Sequence, residues 1–242
     1  MTDSTFLSDA GVFKGDLGEL PAGKLLISTI NAYSYTLARS DHEFAVALKN
    51  SDILLPDGIS IVHAKLILKR ERIRKIAGAD LFNYEMNRLN ASGGTCFFLG
   101  SKERTLELII KRLSKDFPSV KADTYSPSFN DVFTDEENAV ILEKINNFRP
   151  DVLFIGMTAP KQEKWAYRHF DQIEAGHVCC IGAVFDFYAG TIKRAPRWMI
   201  NIGLEWFHRL IKDPVRMWRR YLIGNSRFIW LVLKEKYKRK VD

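Results

Sequence analysis

The stretch with the clearest chemical content is Asp52-Ile53-Leu54-Leu55-Pro56-Asp57-Gly58. Ile53, Leu54 and Leu55 form a continuous apolar run suited to a strand buried on both faces, Pro56 cannot extend a ladder, and Gly58 permits a sharp turn. Asp57 is thereby held at a strand's carboxyl end, where open α/β sheets bind ligands, and a carboxylate fixed there is a candidate general base. Asp before Gly is also ordinary turn chemistry, so the pair alone leaves both readings open. Single-glycine turns at Gly58, Gly100 and Gly156 suggest several strand ends that offer backbone N–H groups to a small anionic ligand. A sugar linked to a nucleoside diphosphate fits that description. None of the strand-to-helix turns carries G-x-G-x-x-G or a P-loop lysine, which argues against NAD enzymes and P-loop ATPases. No two aspartates lie two positions apart, so the D-x-D pair with which many sugar transferases hold a divalent metal is missing. Neither a metal nor another cofactor is expected.

The elements that must position these residues follow from the pattern of apolar runs. Strands are predicted over 24–30, 53–55, 96–99, 120–122, 151–155 and 177–181, and helices over about 32–39, 42–49, 59–69, 81–89 after Gly78-Ala79-Asp80, 105–115, 136–147 and 161–170. Ser101 is placed to cap the helix after Gly100, and Pro160 to open the one after Gly156. That opening puts Gln162 in the first turn of its helix, within reach of a ligand. Strands separated by helices of about ten or more residues imply βαβ units, hence a Rossmann-like, mostly parallel sheet with helices on both faces. The chain of 242 residues is 46% hydrophobic and 27% charged, a globular composition. Its three cysteines, Cys96, Cys179 and Cys180, lie in apolar strand-like runs without metal-ligand spacing to the five histidines, and read as reduced core residues.

The net charge of +7 is unevenly distributed. Residues 191–242 hold 14 Lys and Arg against 4 Asp and Glu, whereas residues 1–190 hold 22 against 25. Four of the five tryptophans, Trp198, Trp206, Trp218 and Trp230, share the basic segment. The reading is a catalytic body over 1–190 and a basic, amphipathic helical appendage over 191–242. Helices are predicted there over about 197–211, from Pro214 through Tyr221, and over 227–239, with Gly224-Asn225-Ser226 resetting the last. Apolar faces beside Arg216, Arg219, Arg220, Arg227 and the lysines of 234–240 suit an interfacial helix on an anionic lipid surface. No run of about 18 apolar residues occurs and residues 1–11 carry no basic leader, so a cytoplasmic location at the membrane's inner face is expected.

With these features together, the chain resembles the WecG/TagA/CpsF family of bacterial glycosyltransferases (glycosyltransferase family 26). The likeness spans about residues 25–221. It is carried by Ser28-Thr29-Ile30-Asn31-Ala32, by Leu54-Leu55-Pro56-Asp57-Gly58-Ile59, by Gly78-Ala79-Asp80-Leu81 and by Phe98-Leu99-Gly100. Gly156-Met157-Thr158-Ala159-Pro160-Lys161-Gln162-Glu163-Lys164-Trp165 continues it, followed by Phe185-Asp186-Phe187, Lys193-Arg194-Ala195-Pro196, Gly203-Leu204-Glu205-Trp206 and Arg209-Leu210. No physical constraint of an α/β fold would produce all of these in this order. Thr158, where glycine is more usual, and Ala183, within a run commonly G-V-G-G, depart from the pattern.

The resemblance implies an inverting, metal-independent transfer of a sugar from a UDP-sugar to an undecaprenyl-diphosphate-linked saccharide at the membrane. It implies N-acetylmannosamine as the commonest donor sugar, with glucose-type donors among relatives. It places the general base on Asp57, donor-sugar contacts on Thr29 and Asn31, a substrate neighbour on Gln162, and site-completing arginines on Arg209, Arg216 and Arg219. Ordinary helix capping is the structural alternative for Thr29 and Asn31, and a solvated face the alternative for each arginine. A nucleic-acid-binding module with a basic tail is the competing reading, and the family motifs weigh against it; no nucleic acid partner is expected. The tail's apolar face can also pack on a second copy of the chain, so monomer and homo-oligomer both remain open.

Overall fold

The computed structural model describes residues 6–238, apart from the side chains of Asn201, Arg216 and Lys238. Short apolar runs that do not alternate become strands covered on both faces. The strands are β1 (Leu25–Ile30), β2 (Ile53–Pro56), β3 (Thr95–Leu99), β4 (Lys121–Tyr125), β5 (Val152–Ile155) and β6 (His177–Cys180), of which the edge strand β4 is the exception, polar and without a buried residue. They pair in parallel in the order β2-β1-β6-β5-β3-β4. Every residue of β1, β2 and β5 is buried. The three cysteines are free and buried. This is the Rossmann-like α/β architecture read from the alternation of strands and helices.

The helices are α1 (Phe6–Asp9), α2 (Ala32–Ala38), α3 (His42–Lys49), α4 (Ile59–Lys69), α5 (Gly78–Ser92), α6 (Glu103–Asp116), α7 (Asp135–Phe148), α8 (Lys161–His169) and α9 (Val184–Ala189). One face of the sheet packs on α5, α6 and α9 through Phe82, Phe98, Phe154 and Phe185. The other receives α7 and α8 around Phe97, Ile141, Trp165 and Val178. The edge strand β2 is partly covered by the N-terminal segment, whose Phe13 N–H donates to the Leu54 carbonyl at 2.9 Å.

Several local expectations need correction. Pro56 is the last residue of β2, opposite Ile30, because a terminal proline forfeits only a hydrogen bond that the strand end does not need. Ser101 does not cap α6: it adopts a positive φ of 65° and Lys102 takes the cap position. Pro160 precedes α8 as its cap residue, after a cis peptide bond, rather than occupying the first helical position. Val120 lies before β4, which begins at Lys121. The helix α1 has no counterpart in the sequence reading; it is too short to show periodicity.

The C-terminal region differs more. The single helix expected over 197–211 is two, α10 (Arg197–Asn201) and α11 (Glu205–Lys212), broken at Gly203 with φ of 77°. Pro214 opens α12 (Pro214–Trp218), but the reset at Gly224 does not occur. A π-helical turn, Arg219–Ile223, leads straight into α13 (Gly224–Lys238), and Gly224 keeps right-handed helical angles. Gly-Asn-Ser is a weak helix former, yet packing of an amphipathic face outweighs propensity. Phe228, Leu231 and Val232 of α13 join Phe6, Tyr35 and Phe44 in one apolar cluster, with the Phe228 ring edge-on to Tyr35 at 5.3 Å. Glu235 is buried beside them and accepts from Ser8 N–H at 2.7 Å and Tyr35 Oη–H at 2.9 Å. Arg239 and Lys240, part of the expected basic run, lie outside the described residues.

Candidate active site

The parallel sheet directs the carboxyl ends of β1, β2, β5 and β6 to one side, and a cleft of about 1010 Å³ opens there. Thr29, Asn31, Asp57, Gly58, Gly156, Gln162, Arg209 and Arg219 all line it, although they span 191 positions of sequence. Gly100 does not; it turns the chain beside Gly156 and Met157, with φ of 108°. The backbone of Arg216 lies on α12, while its side chain is outside the described part of the structure.

Asp57 leaves β2 with its N–H donating to the Ile30 carbonyl at 2.8 Å, which pins it next to β1. Gly58 then takes φ of 136°, a conformation that residues with a Cβ rarely adopt, and this turns the chain into α4. Asn31 meets Asp57 from the end of β1. Its Oδ1 accepts from Tyr33 N–H at 3.0 Å and Ser34 N–H at 3.1 Å, capping α2, and its side chain stands beside the Asp57 carboxyl. Burial pushes the Asp57 carboxyl up to about 6, and nearby Glu205 adds to the effect. Lys75, the Asn31 side chain and Arg194 partly oppose it. The group is therefore ionised at neutral pH yet more basic than an exposed aspartate.

The first turn of α8 supplies a second acid. Glu163 is buried, lines the cleft, and has its carboxyl pushed up to about 7 by burial, against a hydrogen bond from Gln162. Gln162 Nε2 donates to Glu163 Oε1 at 2.8 Å, and Gln162 Oε1 accepts from Gly182 N–H at 3.1 Å. Gln162 thus ties α8 to the turn after β6. Gly156, beside it, must be glycine because a Cβ would lie 2.3 Å from the Phe185 ring.

The C-terminal helices close the cleft with cations. Arg209 stands over the Phe187 ring at 5.5 Å, and Arg194 Nε pairs with Glu205 Oε1 at 3.3 Å. Arg219 is exposed and lies 5.2 Å from the Trp218 ring. Arg220, absent from the sequence-based set, packs over Tyr33 at 4.2 Å. Asp186 accepts from Thr191 Oγ1 at 3.2 Å, fastening the start of the C-terminal region to α9. Sequence reasoning also passed over Glu163, Arg194 and Glu205 as site residues, although all three stand inside the motifs quoted above. Among the described residues no three His, Cys, Asp or Glu side chains are grouped to hold a metal ion.

A basic carboxylate at the strand ends, faced by arginines from C-terminal helices, defines a Rossmann-like α/β protein built for chemistry on an anionic substrate. The chain belongs to the glycosyl transferase WecG/TagA/CpsF family, whose model matches residues 17–242. It is 29% identical over 215 residues to the N-acetylglucosaminyldiphosphoundecaprenol N-acetyl-beta-D-mannosaminyltransferase of Bacillus subtilis (strain 168), covering 89% of this chain and 81% of the relative. The protein of the same name from Bacillus spizizenii is 28% identical over 197 residues, covering 81% and 74%. That from Staphylococcus aureus (strain MW2) is 26% identical over 217 residues, covering 90% and 82%.

Proposed function

We propose that this glycosyltransferase moves an N-acetylmannosamine-type sugar from a UDP-sugar to an undecaprenyl-diphosphate-linked N-acetylglucosamine, in the synthesis of a cell-surface polysaccharide. The relatives' names support the acceptor and the transferred sugar. The observation that carries the chemistry is Asp57, fixed at the end of β2 in the cleft with its basicity raised by burial. Asp57 removes the acceptor hydroxyl proton as that oxygen attacks the anomeric carbon. The bond from that carbon to the diphosphate oxygen breaks on the opposite face, its electron pair leaves with UDP, and the configuration inverts. Base assistance of this kind is worth about 10²–10⁴-fold. Arg209 and Arg219, together with the N-termini of helices at the cleft, offset the charge that grows on the departing diphosphate.

Thr29, buried at the cleft wall, and Asn31 are the proposed contacts of the donor sugar, and Gln162 retains a second amide hydrogen for the substrate. The body over 1–190 carries the base, and the region 191–242 completes the site and meets an anionic membrane. Exposed Trp198, Val215, Ile229 and Trp230, interspersed with basic residues, support that role. No helix among the described residues is long and apolar enough to cross a membrane. A UDP-release screen tests the reading, crossing UDP-sugars with short-chain prenyl-diphosphate N-acetylglucosamine acceptors. Release that requires both UDP-N-acetylmannosamine and the acceptor is the expected result; no release with any pair, or release independent of acceptor, contradicts it.

A further inference from the structure

We propose that Arg220, seated over the Tyr33 ring in the cleft that holds Asp57, binds a diphosphate of the substrate. The assignment rests on the reading of the cleft as a site for diphosphate-linked sugars.

Three observations lead to it. First, Arg220 lines the cleft with its Nε buried, and that atom has no protein acceptor. A buried guanidinium N–H without an acceptor is costly, so its persistence points to an acceptor that arrives with the ligand. Second, the residue sits in the π-helical turn Arg219–Ile223, where Gly224 N–H returns to the Arg219 carbonyl. Such turns are rare and concentrate at functional sites, because the wider coil redirects the side chains on it. Here the turn leaves Arg219 exposed beside Trp218 while Arg220 packs on Tyr33.

Third, the cleft brings like charges together. Burial lowers the Arg220 pKa from its ordinary value; Tyr221 opposes the effect, neighbouring Arg209 adds to it, and Tyr33 and Asp57 oppose it further. Two guanidinium groups that line one cleft and repel each other are relieved by a multiply charged anion. The planar fork of arginine matches phosphate oxygens in pairs. Tyr33 is the positioning residue: it follows Asn31 on α2, so the element that presents Asn31 to Asp57 also fixes the guanidinium by a cation–π contact.

A diphosphate reaches this cleft from two sources, the nucleotide donor and the lipid-linked acceptor. Calorimetric titration of the full-length protein with UDP, and separately with a short-chain prenyl-diphosphate saccharide, distinguishes them. Arg220→Gln, checked for folding by circular dichroism, is expected to lose about tenfold to a hundredfold in affinity for one of the two. Loss for UDP alone assigns Arg220 to the donor, and loss for the prenyl diphosphate alone assigns it to the acceptor. Tyr33→Leu should weaken the same ligand by about two- to tenfold, and Tyr33→Phe, which keeps the ring, should restore it. If Arg220→Gln does not fold, Arg220→Lys, which keeps the charge but loses the fork, is expected to weaken the same ligand several-fold. Affinities for both ligands within about twofold of the wild type, in a folded Arg220 variant, overturn the assignment while leaving the functional reading standing. A wild-type protein that binds neither ligand overturns both.

Discussion

The side chain of Asn31 joins two tasks that meet at Asp57. Its carbonyl oxygen is occupied by the Tyr33 and Ser34 N–H groups at the start of α2. The amide nitrogen is therefore the end left to face the Asp57 carboxylate, and helix capping itself holds that donor in place. Capping, one of the two readings of Asn31 in the sequence, and the approach to Asp57 share one rotamer.

This relationship predicts how the pH dependence of kcat/KM responds to substitution. A base with a pKa of about 6 gives a rate that rises with pH and is half-maximal there. Asn31→Asp keeps the cap oxygen but puts a like charge against Asp57, so the rising limb should move to higher pH by about one unit. An unshifted limb in the folded variant would show that the base is another group.

Glu163 offers a prediction on stability. Its carboxyl is raised from an ordinary 4.5 to about 7 in the folded protein, so the protonated form is favoured there. The resulting stabilisation is full below about 4.5 and is lost as pH rises through about 7. Glu163→Gln cannot ionise. The melting temperature of the wild type should therefore fall relative to that of the variant between pH 5 and pH 8, in thermal scans. Parallel curves would mean that Glu163 is not buried as the structure has it.

The junction of α13 with the body should be sensitive to Glu235. Glu235→Ala leaves the buried Ser8 N–H and Tyr35 hydroxyl without their acceptor, at a cost of about 1–3 kcal/mol. For a chain of this length that is about 2–4 °C in melting temperature for each kcal/mol. Tyr35→Phe, which removes one donor, should cost less than Glu235→Ala. The reverse ranking would place the weight of the junction on the Tyr35 hydroxyl alone.

Binding to vesicles tests the proposed membrane contact. The full-length protein should sediment with liposomes rich in anionic lipid and be released as salt screens the attraction, while showing no comparable binding to duplex DNA at the same ionic strength. Trp230→Glu places a charge at an exposed apolar position and should weaken the liposome binding several-fold. Equal binding to DNA and liposomes would favour a purely electrostatic tail.

The order of strands and helices was legible because apolar runs such as 53–55 and 151–155 are short, unbroken and bounded by turn residues. Asp57 was legible for the same reason: a strand, a proline and a glycine fix where its carboxylate must stand. The C-terminal helices were less so, since Gly203 and Gly224 look alike in sequence, yet one takes φ of 77° and the other stays helical. What separates them is tertiary packing, in which Phe228, Leu231 and Val232 hold α13 against Tyr35. Arg220 was hidden by that difference, because only the π-helical turn directs it rather than Arg219 onto Tyr33. Glu163 carried a sequence signal, a charged residue inside a motif, but its burial depends on how α8 lies across the sheet.

The most direct measurement is the initial rate of UDP release by Asp57→Asn, with saturating UDP-N-acetylmannosamine and prenyl-diphosphate N-acetylglucosamine, in protein whose circular dichroism and melting temperature match the wild type. Asparagine keeps the size and the contact with Asn31 but cannot take a proton, so the rate should fall by about 10²–10⁴-fold while donor affinity changes little. A folded Asp57→Asn variant that turns over within a few-fold of the wild type would contradict the account.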